Sequence, residues 1–223
     1  MPKEIEHLIE GYQEFHKEHY DQKKGFFEKL VRFGQKPKIL VVACSDSRVD
    51  PALVMNCQPG DLFVVRNVAN LVPPYESDNA HHGTSAALEF GICTLGIHHV
   101  IVFGHSQCGG IGALVESGDE LTRPHNFVGR WMELAQPAYE TVVKKHAQDP
   151  LEQKINLCSQ YALTHSFKNL STFPWIREKV ASGNLFLHAW YFDLKSGKIL
   201  TLQSEKKGFE ELKLPYEPPR QTI

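Results

Sequence analysis

The sequence predicts an α/β protein in which a mainly parallel central sheet is flanked by helices, with an antiparallel edge strand and an N-terminal helical arm. Two uninterrupted apolar runs, 39–43 and 100–104, are typical of strands buried on both faces of a parallel sheet. A third run, 185–192, is followed by a turn signal and a short second run. This arrangement is typical of an antiparallel strand pair at a sheet edge.

We divide the 223 residues into one domain with three segments, a helical arm at 1–33, an α/β core at 34–205 and a C-terminal tail at 206–223. A chain of this length can bury roughly 70% of its unfolded surface, so no second domain is required. The arm is predicted to be an amphipathic helix because mostly apolar residues recur there at helical spacing: Ile5, Leu8, Ile9, Tyr12, Phe15 and His19.

The elements of the core follow in chain order. After the first strand, Asp50-Pro51 is a good N-cap and N1 pair for a helix through Cys57. The further predicted elements are a strand at 62–65, a helix that opens at 84–88, the strand at 100–104, a helix interrupted at Pro137, a helical stretch at 155–167 and the strand at 185–192. The last predicted elements are a turn at 196–197, an antiparallel return strand at 198–202 and an extended or poorly ordered Pro-rich tail at 214–220.

Three potential metal ligands follow two of these strands. Cys44 comes directly after the first run, and His105 and Cys108 come after the second. Open α/β sheets place their ligands at the carboxyl ends of the strands. Two thiolates and an imidazole favour zinc, although cobalt or cadmium would also bind, and three protein ligands leave the fourth position open, as in catalytic zinc sites. Taken singly, each residue has an ordinary alternative as a buried thiol or a hydrogen-bonded histidine.

The glycine pair that follows Cys108 lets a helix begin there at once. The free amides and the positive dipole end of this helix would then lie beside the thiolate, a setting that lowers the pKa of a cysteine. Two further residues, Asp46 and Arg48, lie just beyond the first ligand. Asp46 could accept a hydrogen bond from water on the metal, and Arg48 could hold the carboxylate ionised in a fork. The alternative is that both residues cap a turn.

These residues resemble the β-class carbonic anhydrases. The matching stretches are Cys44-Ser45-Asp46-Ser47-Arg48, Gln58-Pro59-Gly60-Asp61-Leu62-Phe63-Val64-Val65-Arg66-Asn67-Val68-Ala69-Asn70 and Gly104-His105-Ser106-Gln107-Cys108-Gly109-Gly110. Weaker similarity extends from about residue 26 to about residue 203, so the resemblance covers most of the chain. Among the members of the family, the chain is most similar to the plant-like ones.

The resemblance implies a zinc enzyme with one Zn²⁺ per subunit, bound by Cys44, His105 and Cys108. It implies that Asp46 and Arg48 orient the zinc hydroxide, which attacks carbon dioxide in a reversible hydration to bicarbonate and a proton. Two thiolates cancel the formal charge of zinc, so we expect water to be acidified less than at a three-histidine site. A positioned acceptor such as Asp46 is correspondingly more useful.

Five further positions are assigned to substrate binding by the resemblance: Gln35, Phe63, Val68, Phe90 and Gly109. Gln35 would reach into the partner subunit's site to hydrogen-bond a substrate oxygen, and Gly109 offers a backbone amide. The aromatic and aliphatic side chains would form an apolar pocket, which suits a molecule of little polarity. Without the family, Phe63 and Val68 would be read as ordinary core residues and Gln35 as a solvated loop residue.

Two positions depart from family patterns. Some bacterial members carry a tryptophan three residues before the first cysteine, which helps to form an inhibitory bicarbonate site, and here that position is Val41. We therefore predict a site that is open to water at neutral pH and has no such inhibitory pocket. Arg66 matches a residue of that pocket in those members, and here we predict a structural role for it. Plant-like members also carry a tyrosine and a histidine where this chain has Phe90 and Thr94.

The second departure removes the usual candidate for a proton shuttle. His81 and His82 lie in the loop before that helix. An imidazole with an unperturbed pKa of about 6.5 can pass protons at physiological pH. We therefore predict that one of the two assists proton transfer, the alternative being a pair of surface loop histidines.

Composition and charge limit the partners. A formal net charge of -2 excludes a basic nucleic-acid footprint, and no stretch approaches the roughly 18 apolar residues of a membrane helix. The resemblance implies a homodimer or higher homo-oligomer, in which the helical arm packs on a partner subunit; the alternative is an arm that covers its own sheet. Cys57, Cys93 and Cys158 are interpreted as reduced core residues. A cytoplasmic protein is expected, with a processed organellar form as the alternative.

Two other functions stay open at this point. The first is zinc-dependent hydrolysis of another small heterocumulene, carbon disulfide or carbonyl sulfide, because the motif does not determine which molecule reaches the metal. The second is a non-catalytic, zinc-stabilised assembly module. The intact pair of Asp46 and Arg48 argues against this module, since a structural zinc requires no open position and no oriented acceptor.

Overall fold

The computed structural model of the protein describes residues 2–78, 80–121, 127–204 and 206–216. They divide into two compact units, one that ends at Lys36 and one that begins at Pro37. The first unit contains helix α1 (Lys3–Phe15), a π-helical turn at His16–Tyr20 and helix α2 (Lys24–Phe33). This confirms the N-terminal helix. None of the residues in these three elements is buried.

The second unit is built on a six-stranded sheet. Its strands are β1 (Ile39–Cys44), β2 (Leu62–Asn67), β3 (His99–His105), β4 (Phe186–Asp193), β5 (Lys198–Ser204) and β6 (Gly208–Glu211). They lie in the order β2-β1-β3-β4-β5-β6. The first four are parallel and the last two join antiparallel, so the predicted mainly parallel sheet with an antiparallel edge is confirmed.

Helices connect the strands and cover the sheet. They are α3 (Pro51–Val54), α4 (Gly83–Glu89), α5 (Gly109–Ser117), α6 (Phe127–Met132), α7 (Gln136–Lys145), α8 (Leu151–Leu170) and α9 (Pro174–Ala181). The longest, α8, contacts β3 and β4 and packs against α5 and α7. Pro137 lies in the first turn of α7, after a short 3₁₀ segment that separates this helix from α6. The predicted interruption is therefore confirmed.

Helix α3 is shorter than predicted. The Asp50 carboxylate accepts hydrogen bonds from the amides of Ala52 and Leu53, at 3.0 and 3.2 Å, as the predicted N-cap. The helix nevertheless ends at Val54 instead of continuing through Cys57. The reason is local, because Asn56 adopts a left-handed conformation with φ of 50°, a backbone state that stops helices.

Strand β6 is an element that the sequence analysis missed, since 206–223 was taken as a tail. Phe209 of β6 pairs with Leu202 of β5 and packs against the core beside Tyr191. A strand of four residues carries too little pattern to be recognised before its partner is known. The expectation of an extended tail at 214–220 falls partly on residues 217–220, which lie outside the described residues.

The three cysteines outside the ligand set differ in their exposure. Cys158 is buried, Cys57 is half-buried and Cys93 is exposed, so a core role is wrong for Cys93. Cys93 lies in a π-helical turn, Phe90–Thr94, that directs Gly91 and Ile92 inward instead. All five cysteines are free thiols. Within the described residues, no helix is both long enough and apolar enough to cross a membrane.

Candidate metal centre

The sheet brings the three predicted ligands together. Strand β1 ends at Cys44 and the adjacent parallel strand β3 ends at His105, so both side chains lie at the same sheet edge. Cys108 is the N-cap residue of α5, which begins immediately afterwards. The two Sγ atoms are 3.9 Å apart, and all three ligand atoms lie within 4.8 Å of one another. All three residues are buried, as a metal site shielded from solvent requires.

The imidazole of His105 is oriented for coordination through Nε2. Its Nδ1 lies 2.8 Å from the carbonyl oxygen of Ser106, so Nδ1 carries the proton and donates it. The Nε2 atom is buried and has no hydrogen-bond partner among the described residues. A buried nitrogen without a partner is costly unless it binds something. The residues present therefore fit a zinc ion, with two soft sulfurs and one free imidazole nitrogen.

The thiols of Cys44 and Cys108 form a coupled pair. The hydrogen bond from Cys108 is the main cause that lowers the pKa of Cys44 to about 4, and His105 contributes to the same shift. The same contact raises the pKa of Cys108, and burial adds to this rise. The hydrogen bond between the two sulfurs therefore makes Cys44 the more acidic thiol of the pair. A cation placed between the two sulfurs would favour deprotonation of both.

Asp46 and Arg48 form the predicted fork. Arg48 Nε donates to Asp46 Oδ1 at 2.9 Å, and Nη2 donates to Oδ2 at 2.7 Å. The backbone amide of Arg48 also donates to Oδ1, at 3.0 Å. These hydrogen bonds hold the pKa of Asp46 far below its usual range, so this carboxylate stays ionised. Its Oδ2 lies 4.0 Å from His105 Nε2, so the acceptor lies next to the ligand set.

Arg66 braces the loop that carries the fork. Its guanidinium donates to the carbonyl oxygens of Cys44 and Asp46, at 2.9 and 2.7 Å, and to the carboxylate of Asp50 at 2.9 Å. The side chain spans from the end of β1 to the cap of α3. This arrangement agrees with the structural role predicted for Arg66.

The loop between His105 and Cys108 is held from two sides. Ser106 Oγ donates to Asp193 at 3.2 Å and accepts from the amide of Leu194 at 2.9 Å. Gln107 adopts a left-handed conformation with φ of 54°, which is uncommon for a residue with a Cβ. Its amide donates to Asn156 Oδ1 on α8, at 2.8 Å. The sequence analysis did not identify Asn156, because only the fold brings it near the loop.

The predicted substrate residues are only partly brought together. Phe63 and Phe90 lie side by side, with ring centroids 6.0 Å apart, and Phe90 is exposed. Val68 contacts α5, because a Cβ on Gly110 would lie 2.6 Å from its Cγ1. Gly109 opens α5 directly after Cys108. Apart from its chain neighbours and the backbone of its own helix, no atom of the described residues lies within 4 Å of the position of its absent Cβ.

Gln35 lies in the first unit and is exposed. Its predicted contact with a partner subunit's site therefore stays a prediction.

The two candidate shuttle histidines line one groove, whose walls include none of the three predicted ligands. The groove has a volume of about 630 Å³, and its walls include Val68, His81, His82 and Trp131. His82 is hydrogen-bonded to the carboxylate of Asp78, which raises the pKa of this imidazole. Trp131 closes one side and donates to the carbonyl oxygen of Val68 at 2.7 Å.

Comparisons with known proteins show the family of this chain. The sequence model described as carbonic anhydrase matches residues 39–199. Beta carbonic anhydrase 5, chloroplastic, from Arabidopsis thaliana is 43% identical over 165 residues, which are 74% of this chain and 54% of the relative. The chain thus spans about half the length of this relative. The carbonic anhydrase of Synechococcus elongatus is 32% identical over 207 residues, which are 92% of this chain and 75% of the relative.

Solved structures show the same fold. The β-carbonic anhydrase CcaA superposes with a TM-score of 0.88 at 32% identity, covering 96% of this chain and 94% of that one. A β-carbonic anhydrase of Sordaria macrospora, described as tetrameric, has a TM-score of 0.80 at 28% identity, covering 91% of this chain and 98% of that one. The Coccomyxa β-carbonic anhydrase, solved with acetazolamide, has a TM-score of 0.75 at 25% identity, covering 87% and 84%.

Proposed function

Because the chain belongs to the β-class carbonic anhydrase family, we propose that it catalyses the reversible hydration of carbon dioxide to bicarbonate and a proton. One observation carries this proposal. The buried set of Cys44, His105 and Cys108 leaves an imidazole nitrogen with no hydrogen-bond partner in the described part of the chain, beside a carboxylate that Arg48 keeps ionised. Such a combination serves catalysis rather than structure.

The chemistry divides between the cofactor and the chain. When bound, zinc would act as a Lewis acid that lowers the pKa of water, although less than at a three-histidine site because the two thiolates cancel its formal charge. Asp46 would accept a hydrogen bond from a water molecule at the metal site, near His105 Nε2. The two hydrogen bonds from the Arg48 guanidinium fix the orientation of the Asp46 carboxylate for this role. Phe63, Phe90 and Val68 offer apolar surface that suits an uncharged substrate.

The other functions are not favoured. The family match and the curated relatives are carbonic anhydrases, and no comparison reported above names a carbon disulfide or carbonyl sulfide hydrolase. A purely structural zinc would not require the fork of Asp46 and Arg48, which is held by three hydrogen bonds.

The test is stopped-flow hydration of carbon dioxide by zinc-loaded protein between pH 6.5 and 9, beside the same protein after zinc removal and after zinc is restored. Fast hydration that is lost and regained with zinc supports the proposal. Negligible hydration of carbon dioxide, together with sulfide release from carbon disulfide or carbonyl sulfide, would favour the alternative hydrolase. Inactivity toward all three substrates would favour the assembly module.

We also propose that the site stays open at neutral pH. Val41 is buried in β1 where some members carry tryptophan, and the Arg66 guanidinium donates to three acceptors of its own chain. Neither residue is then free to build an inhibitory bicarbonate pocket. Activity that appears only above about pH 8, or a neutral-pH crystal structure with Asp46 bonded to zinc, would contradict this proposal.

For proton transfer we propose His81 or His82. The support is the groove that both histidines share with Val68, together with the Asp78 contact that raises the pKa of His82. Replacing both histidines with alanine should lower turnover at low buffer concentration, while kcat/KM stays unchanged. Full turnover in the double variant would reject the assignment.

Assembly and compartment remain proposals as well. We propose a homodimer or larger homo-oligomer, supported by the Sordaria relative described as tetrameric. In this assembly Gln35 of one subunit would reach the site of the other. We propose the cytoplasm as the compartment, with an organelle as the alternative, since the Arabidopsis relative is named chloroplastic.

A further inference from the structure

We propose that Asn156 is a positioning residue, which holds the Asp46–Arg48 fork in its working geometry through the backbone of Gln107. The inference rests on the proposed hydration of carbon dioxide. It assigns a role to a residue that is neither a metal ligand nor a member of the fork.

The first link joins α8 to the ligand loop. Asn156, in the second turn of α8, accepts a hydrogen bond from the Gln107 amide at 2.8 Å, across a separation of 49 residues. Gln107 has a φ of 54°, a conformation that residues with a Cβ adopt only when their surroundings impose it. The Asn156 oxygen is thus a restraint that keeps the peptide group before Gln107 in this orientation.

The second link joins the loop to the fork. The Gln107 carbonyl oxygen accepts from Arg48 Nη2 at 3.0 Å, and the same Nη2 donates to Asp46 Oδ2 at 2.7 Å. The Arg48 side chain is 49% exposed, so it depends on such anchors for a single orientation. Rotation of the Gln107 backbone would remove one anchor and loosen the carboxylate that Arg48 directs.

The residue type at position 156 agrees with this role. Asparagine is a poorer former of helix interiors than alanine, because its side chain competes for backbone hydrogen bonds. Asn156 is therefore not expected to add to the stability of helix α8, whereas it supplies the ligand loop with a hydrogen-bond acceptor for the Gln107 amide. Exchange for alanine should leave α8 folded, so the Asn156→Ala variant is a usable test.

The experiment compares four zinc-loaded proteins: the unchanged chain, Asn156→Ala, Asn156→Asp and Glu152→Ala. Asn156→Asp keeps an acceptor oxygen. Glu152→Ala removes a contact from the same helix to the Gln107 side chain, at 3.3 Å, and leaves its backbone bond intact. The readouts are kcat and kcat/KM for carbon dioxide, zinc content, and hydrogen exchange of the Arg48 Nε proton by NMR, assigned through its loss in Arg48→Lys.

We expect Asn156→Ala to lower kcat/KM about 10-fold at full zinc content, with a smaller effect on buffer-limited kcat. Exchange at Arg48 Nε should accelerate in this variant. In Asn156→Asp, both kcat/KM and the exchange rate at Arg48 Nε should return most of the way to the values of the unchanged chain. Glu152→Ala should match the unchanged chain in both readouts.

Two results would overturn the proposal. One is unchanged kcat/KM and unchanged Arg48 exchange in Asn156→Ala. The other is an equal fall of kcat and kcat/KM in proportion to lost zinc, without recovery in Asn156→Asp, because this pattern indicates structural damage only. If the unchanged chain does not hydrate carbon dioxide, the proposed function fails by itself, while Arg48 exchange still reports whether Asn156 restrains the fork.

Discussion

At the residue scale, the proposed reaction depends on the charge and the direction of one carboxylate. Asp46 receives three hydrogen bonds from Arg48, two from the guanidinium and one from the backbone. They keep the pKa of Asp46 well below neutral pH, and they direct Oδ2 toward the ligand set. An amide at this position would have a similar shape but would lack the charge and one acceptor oxygen.

We therefore expect Asp46→Asn to lower kcat/KM about 100-fold, since misdirected reacting groups can cost this much. Stopped-flow hydration at equal zinc content is the measurement. Asp50→Asn is a matched control, because Asp50 also bonds an arginine but serves as a helix cap, and its amide oxygen can still cap α3. Equal losses in the two variants would mean that the effect is structural.

At the element scale, two adjacent glycines of α5 differ in their surroundings. A Cβ on Gly110 would lie 2.6 Å from Val68 Cγ1, and β-branched valine has little rotamer freedom with which to give way. A Cβ on Gly109 would meet no atom within 4 Å from any other described part of the chain beyond its own helix and its chain neighbours. Close packing between α5 and the segment after β2 therefore requires glycine at 110 only.

Gly110→Ala should lower the free energy of unfolding by about 1–3 kcal/mol, through overpacking. Gly109→Ala should change it by less than about 0.5 kcal/mol, as exposed substitutions usually do. Urea titration of the two variants measures the difference. Adding Val68→Ala to the Gly110 variant should recover part of the loss, and equal stabilities of the two single variants would show that α5 can shift at no cost.

A second element-scale feature is a buried histidine between two neighbours. His188 of β4 has its Nε2 3.2 Å from His99 Nδ1 and its Nδ1 2.9 Å from the Tyr216 hydroxyl. Burial is the main cause that lowers the pKa of His188 to about 4, and the nearby His99 adds to the effect. The pKa of His99 is lowered too, by burial and by His98.

Because the folded pKa of His188 lies below its ordinary value of 6.5, its neutral form stabilises the fold above pH 6.5. This stabilisation should be lost as the pH falls from 6.5 to about 4, by about 3 kcal/mol in total. Urea unfolding of metal-free protein at pH 7 and pH 4.5 tests the expectation. In His188→Gln, the free energy of unfolding should fall less between pH 7 and pH 4.5 than in the unchanged chain, whereas the exposed control His98→Gln should show the full fall. An equal fall in His188→Gln and the unchanged chain would contradict the expectation.

At the scale of the whole molecule, the helices of the first unit leave most of their apolar side chains exposed. Leu8, Val31 and Phe33 are 66%, 84% and 61% exposed. Helices α1 and α2 bury no residue within the described chain. Apolar surface of this kind marks an interaction site, and the proposed occupant is a second copy of the chain.

We expect Leu8→Glu to dissociate the assembly, and this variant leaves Gln35 in place. Light scattering after gel filtration should show a smaller mass for Leu8→Glu than for the unchanged chain. A surface control such as Lys3→Glu should have the same mass as the unchanged chain. A mass equal to that of the unchanged chain would show that this face does not carry the assembly.

The prediction from sequence succeeded where local signals are strong. The apolar runs before Cys44 and His105 predicted two buried strands, and both exist as parallel neighbours. It failed where the signal is short or depends on neighbours. Strand β6 has four residues, and the exposure of Cys93 follows from a π-helical turn that no spacing rule indicated.

The sequence by itself determined the mainly parallel sheet, and it predicted the ligand set and the fork from residue type, spacing and the family resemblance, because these signals and the apolar runs are local properties. Only the tertiary structure decided which residues support the site. Asn156 meets Gln107 across 49 residues, and Arg66 crosses 22 residues to reach the Cys44 carbonyl. The physical reason is that a supporting hydrogen bond requires only an acceptor or a donor at the right place, and the fold alone decides which side chain arrives there.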